Sequence, residues 1–171
     1  MISLSPTIKG LITGILMIGT SLAIYGYFGT FESQLVYITY ALYVGGIVWT
    51  LVAYSKMEVL KTFKTYFTQG FRCFIMVTFL MVAFTFGFLK MTPGMKEEMA
   101  QNARIELMKQ GDKTPAEIES NVIQLKEYYI TFQTSITIFR YLFIGSVITL
   151  LLSYILMQSH KRNAYHRTIN T

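Results

Sequence analysis

Four long apolar stretches dominate the pattern of this chain, over 8–28, 35–54, 71–89 and 136–157. Of its 15 Lys/Arg and 9 Asp/Glu, only Lys9, Arg72 and Arg140 fall inside them. At about 1.5 Å per helical residue, each stretch reaches roughly 30 Å, the thickness of a bilayer's hydrocarbon core. Strands of a membrane barrel are about ten residues long and alternate in polarity; these runs are about twice that length and do not alternate. In lipid, the helix is the remaining way to satisfy the backbone within a segment. The pattern predicts an all-α polytopic membrane protein. It has four transmembrane helices, an external helical hairpin at 93–135 between the third and fourth, and one membrane domain over 1–171.

The segments between the spans carry their own periodicities. In 57–70, Val59, Leu60, Phe63, Tyr66, Phe67 and Phe71 recur at helical spacing, with Lys61, Lys64 and Thr68 between them. This predicts an amphipathic helix lying at the membrane interface, with Gly70 as the bend into the third span. Pro93 ends the third span or restarts a helix. A helix over 95–110 has Glu97 and Glu98 in its first turn and Lys109 in its last, signs that suit the helix dipole. Gly111 sits where a left-handed cap is wanted. Thr114-Pro115-Ala116-Glu117 then fits a capping box, with Pro at the first helical position. From there Ile118, Val122, Leu125, Tyr129, Phe132, Ile136, Phe139 and Phe143 alternate four and three residues apart, a coiled-coil seam. The seam packs either within the chain or on another subunit. No Gly or Pro falls between Pro115 and Gly145, so one helix is expected from about Pro115 to Met157. Its weak point is 131–137, rich in β-branched and hydroxyl residues. A basic cytoplasmic tail, 158–171, follows.

Composition sharpens the class. Hydrophobic residues make up 53% and charged residues 14%, against roughly 25% charged in ordinary soluble domains. Mean hydropathy is +0.44. A soluble domain and a disordered chain are both excluded. Lys56, Lys61 and Lys64 follow the second span, and Lys161, Arg162 and Arg167 follow the fourth, whereas 29–34 has no Lys or Arg. By the positive-inside rule both termini are cytoplasmic and the hairpin is outside. The first span is expected to be retained, because Tyr25-Gly26-Tyr27-Phe28 is no signal-peptidase site. The net charge of +6 fits basic residues at anionic headgroups. It does not argue for nucleic acid, which needs basic residues interleaved with aromatics on a folded face. The expected partners are the lipid bilayer and either a second copy or another membrane protein.

Candidate chemistry is sparse. The spans contain no Asp, Glu or His, the usual marks of ion and proton paths. Arg72 and Arg140 lie near span ends, where they can snorkel to headgroups. His160 and His166 lack a metal-ligand spacing, and Cys73, the single cysteine, reads as a small apolar filler. No nucleophile elbow, phosphate loop or metalloprotease motif occurs. No catalytic residue, metal ligand or cofactor is expected. Each span does carry small residues four apart: Gly10/Gly14, Ala41/Gly45, Ala83/Gly87 and Gly145/Thr149/Ser153. Such faces let helix backbones approach closely.

The order of these pieces resembles the bacterial membrane family known as domain of unknown function 4199. The matching pieces are IKGLITGI at the start, FKTYFTQGF before the third span, the Pro93-led hairpin with its TPAEIES turn, and IGSVITLLLSYIL before the basic tail. Where that family has a Tyr-Arg pair after its second span, this chain reads Tyr54-Ser55-Lys56. The resemblance implies four spans in an inner membrane and brings no activity or site residues. The leading functional expectation is a non-catalytic accessory or scaffold subunit working through helix contacts. The first alternative is a small channel or transporter component, for which Thr13, Thr20, Ser21, Thr39, Thr78 and Thr85 are the available polar lining. A membrane enzyme without a recognisable motif ranks last.

Overall fold

The computed structural model describes residues 4–29, 35–57 and 61–169. Val59 and Leu60 of the expected interfacial helix, the 30–34 loop and the last two residues of the tail lie outside them. The described residues form five helices and no strand: α1 (Pro6–Phe28), α2 (Val36–Ser55), α3 (Phe63–Met91), α4 (Pro93–Gln110) and α5 (Pro115–Ile169). The helices α1, α2, α3 and α5 are long and apolar enough to cross a membrane. The chain divides into two compact units, one of Met1–Met81 with Phe139–Thr171 and one of Val82–Ile138.

In the first unit, local chemistry sets the helix ends. The Ser5 hydroxyl accepts the Ile8 N–H at 3.3 Å, and Pro6 follows at the first helical position. Gly29, at φ 71°, closes α1, its N–H donating to the Tyr25 carbonyl at 2.7 Å. At the start of α3, Thr62 and Thr65 cap each other. The Thr62 N–H donates to Thr65 Oγ1 at 3.0 Å, and the Thr65 N–H to Thr62 Oγ1 at 3.3 Å.

That cap corrects the expectation of a separate interfacial helix ending in a bend at Gly70. Residues 63–70 are the first turns of α3, which runs on through Gly70 to Met91. The aromatics do recur at helical spacing, and the helix that carries them is α3. Phe63, Phe67 and Phe71 form a ladder along one helix, with ring centroids 6.1 and 6.0 Å apart, and Tyr66 is buried against the edge of Tyr54.

The second unit contains an antiparallel pair, α4 against the first part of α5. Gly111, at φ 70°, ends α4. The capping box then forms: the Thr114 N–H donates to Glu117 Oε2 at 2.7 Å, and the Glu117 N–H to Thr114 Oγ1 at 3.4 Å. Lys126 pairs with Glu97, and Arg104 with Glu119 at 2.6 Å. Between the two ion pairs Ala100 packs with Ile118 and Val122, flanked by Leu107. The helix α5 is unbroken through the weak stretch and beyond Met157. The Thr134 and Thr137 hydroxyls donate to the carbonyls of Ile130 and Gln133, at 2.7 and 2.8 Å. They are thus bonded back to their own helix rather than competing with it. Much of the basic tail is therefore helical, up to Ile169.

The hairpin turn carries a pH dependence. Backbone and side-chain hydrogen bonds from Thr114 hold the Glu117 carboxyl below its ordinary value of 4.5. A depressed folded value means that the contribution is present above 4.5 and is lost as pH falls through the lower, folded value. Amide exchange over 114–120, corrected for intrinsic rates, is expected to accelerate as pH drops from 6 to 3, and Glu117→Gln should remove that dependence. Thr114→Ala should speed exchange already at pH 6, since losing a capping Thr costs ~1 kcal/mol. Unchanged exchange in Thr114→Ala would contradict the cap.

Candidate functional site

The centre of the first unit is a set of close helix contacts built around glycine. A Cβ on Gly10 would lie 2.5 Å from the Cys73 carbonyl oxygen, and one on Gly14 would lie 2.6 Å from the Leu80 side chain. These bring α1 against α3. A Cβ on Gly46 would collide with the Thr13 side chain, and one on Gly70 would lie 2.5 Å from Thr149 Cγ2. On α5, a Cβ on Gly145 would collide with the Tyr43 hydroxyl and come within 2.8 Å of the Phe74 ring.

The space at Gly145 is used. The Tyr43 hydroxyl donates to the Tyr141 carbonyl oxygen at 2.8 Å. That carbonyl already faces the helical N–H four residues on, at Gly145, and a carbonyl has a second lone pair to offer. Tyr43 and Tyr141 pack edge to face with centroids 5.2 Å apart. Tyr43, Ile47, Leu51, Cys73, Phe74 and Val77 are all buried.

The expected small-residue faces divide. Gly10, Gly14, Gly145, Thr149 and Ser153 are buried in the bundle. Ala41, Gly45 and Ala83 are exposed and Gly87 is half-buried, and nothing lies within 4 Å of a Cβ placed on Gly45 or Gly87. The pairs Ala41/Gly45 and Ala83/Gly87 therefore make no close approach, because each helix turns a different face inward. The close contacts of α2 and α3 fall instead on Gly46 and Gly70, which the four-apart pattern missed. Their signal was position: Gly46 lies between Tyr43 and Thr50, and Gly70 between Tyr66 and Phe74, on the buried stripes of their helices. Ala41 and Gly45 line an open groove of about 330 Å³ between α1 and α2, with Ile12, Leu16, Leu42 and Trp49 along its walls.

The seam of α5 also divides. Ile118, Val122 and Tyr129 are buried, Ile136 is half-buried, and Leu125, Phe132, Phe139 and Phe143 are exposed. It is not one continuous packing surface. In the first unit the buried residues of α5 are Tyr141, Gly145, Thr149 and Ser153. Regular apolar spacing showed a stripe but not what covers it.

Several polar groups within the spans are bonded locally. The hydroxyls of Thr13, Thr50 and Thr78 donate to carbonyls four residues back, at 2.8, 2.9 and 2.8 Å. Among the described residues, Thr149 Oγ1 and Ser153 Oγ are buried without a hydrogen-bond partner. Arg140 donates to the Tyr40 hydroxyl at 2.8 Å, and Arg72 is exposed. Lys9 is buried under the face of Trp49, 5.6 Å from the ring centroid, a contact that the sequence did not reveal. Among the described residues no three His, Cys, Asp or Glu side chains gather as a metal site.

The sequence model of a family described as a protein of unknown function (DUF4199) matches residues 9–158. No curated protein and no solved structure matches.

Two substitutions test the glycine contacts. Gly10→Ala sets a Cβ against a backbone carbonyl that no rotamer can relieve, and overpacking costs ~1–3 kcal/mol, more than the ~1 kcal/mol that helix propensity returns. It should lower the thermal unfolding temperature in mild detergent. Gly87→Ala meets open space and should leave that temperature unchanged or raise it. Tyr43→Phe should cost about 1 kcal/mol. Combined with Gly145→Ala it should cost less than the sum of the two single changes, because both act on the same hydroxyl. Equal responses at Gly10 and Gly87 would contradict the contact geometry.

Proposed function

The chain belongs to the DUF4199 family of proteins of unknown function, and we propose that it is a non-catalytic accessory or scaffold subunit of the bacterial inner membrane. One observation carries this reading. The hairpin of α4 and the first part of α5 leaves Ile105, Met108, Ile123, Leu125, Tyr128 and Phe132 exposed. They share these helices with the ion pairs Lys126–Glu97 and Arg104–Glu119, so lipid is no sufficient reason for their exposure. Of these, Leu125, Tyr128 and Phe132 fall on one side of α5, and apolar exposure gathered in this way marks an interaction surface. Beside it lies a groove of about 490 Å³ whose walls include Met99, Leu107, Leu125, Tyr129 and Phe132, a shape that suits an apolar helix. The occupant is a helix of a partner membrane protein or of a second copy. The local bonding of Thr13, Thr50 and Thr78 supports a core that serves packing rather than transport. The second reading, a small channel or transporter component, draws its support from the unpartnered hydroxyls of Thr149 and Ser153. A membrane enzyme ranks below both.

A photo-crosslinking residue at Phe132 or Leu125, in cells, is expected to give one discrete protein adduct, with Ile15 on α1 as the lipid-facing control. Mass spectrometry of the adduct separates a second copy from another protein. Lipid adducts alone at Phe132 and Leu125 would overturn the scaffold reading. The proposed orientation puts both termini in the cytoplasm, supported by Lys56, Lys61, Lys64, Lys161, Arg162 and Arg167 against none in 29–34. A C-terminal reporter active only outside the cytoplasm should be silent, and one active only inside should be on. The opposite result would reverse the topology.

A further inference from the structure

We propose that the first unit binds one anionic phospholipid, with an acyl chain in the α1–α2 groove and the phosphate at the Lys9 ammonium. Lys9 is 5% exposed, the one charged side chain among the buried polar residues described. The four apolar stretches contain no Asp or Glu, and among the described residues no carboxylate pairs with Lys9. A desolvated cation in a span is costly unless something of opposite charge meets it. Trp49 answers part of that need through its ring face. The ammonium has three N–H donors to direct at an anion.

The groove and Lys9 share one residue, Trp49. Trp49, which carries the cation on its face, is also a wall of the groove. From there the depression runs along α2 past Gly45, Leu42 and Ala41 to Ile38, with Ile12 and Leu16 of α1 opposite. The small side chains at 41 and 45 make it a depression. From Trp49 to Ile38 is about 16 Å at ~1.5 Å per residue, about half of the roughly 30 Å hydrocarbon core. That is the depth of one leaflet. Lys9 lies in the first turn of α1, so the cation is at a headgroup level whichever way the bundle is oriented. An apolar slot one leaflet deep with a cation at its surface end has the charge pattern of an anionic lipid. A partner helix would fill the slot but leave the cation without a counter-charge.

Trp49 is the chain's single tryptophan, so its fluorescence reports on this site alone. The whole protein is reconstituted into phosphatidylcholine vesicles, and phosphatidylglycerol or phosphatidylcholine brominated on its acyl chains is added at equal mole fraction. Brominated phosphatidylglycerol is expected to quench with about fivefold higher apparent affinity, the preference that ~1 kcal/mol from a single cation amounts to. Unbrominated phosphatidylglycerol should reverse the excess quenching. Lys9→Gln should make the two lipids equivalent. Gly45→Leu should abolish the excess by filling the groove. Because nothing lies within 4 Å of a Cβ at Gly45, this variant should keep the wild-type unfolding temperature, and it serves should Lys9→Gln not fold. Equal quenching by the two lipids in the wild type would overturn the proposal, as would undiminished preference in Gly45→Leu.

Discussion

In a bilayer, apolar side chains gain nothing by leaving lipid for one another, so helices associate through tight van der Waals contact and hydrogen bonds. The bundle of the first unit is built on that constraint. Its helices meet where glycine removes the side chain between two backbones. Gly10 lies on the Cys73 carbonyl and Gly46 on Thr13. Gly145 goes further, because the space it leaves is taken by a hydroxyl. The bond from Tyr43 to the Tyr141 carbonyl satisfies a polar group that lipid could not. It also ties α5 to α2 at the flank that Gly145 leaves open.

The same constraint explains how far the sequence could be read. The number of the spans follows from hydropathy alone, which measures the helix against the bilayer. The caps at Thr114 and Gly111 follow from local backbone chemistry, and both form. Which face of a span turns inward is a property of its neighbours, and there the reading divides. The small pair Gly10/Gly14 faces inward. Ala41/Gly45 has the same spacing and faces a groove, because Tyr43, Ile47 and Thr50 carry α2's contacts on the adjoining face. A spacing rule sees that a face is possible and cannot see the tyrosine hydroxyl that chooses another.

The stretch before Gly70 shows a second limit. Aromatics at helical spacing with lysines between them fit a helix lying on the membrane surface, and fit equally the first turns of a spanning helix that starts early. The Thr62–Thr65 cap decides the matter, and it was present in the sequence as two threonines three apart. The pair differs from the familiar capping box, which has a carboxylate or amide at its second position. The burial of Lys9 is not legible for a different reason. A cation in the first turn of a span normally snorkels, whereas Lys9 is buried against the ring of Trp49, forty residues away.

The bond between Tyr43 and Tyr141 joins residues 98 apart in the chain. A contact of that separation closes a long loop and forms late. During synthesis α1, α2 and α3 leave the ribosome well before residue 141 exists. Until it arrives, the Tyr43 hydroxyl, the Phe74 ring and the bare backbone at Gly70 face lipid, or whatever the insertion machinery holds against them. A nascent chain of three spans is therefore an unfinished object with a polar group turned toward hydrocarbon, and the last span to be made completes the first three.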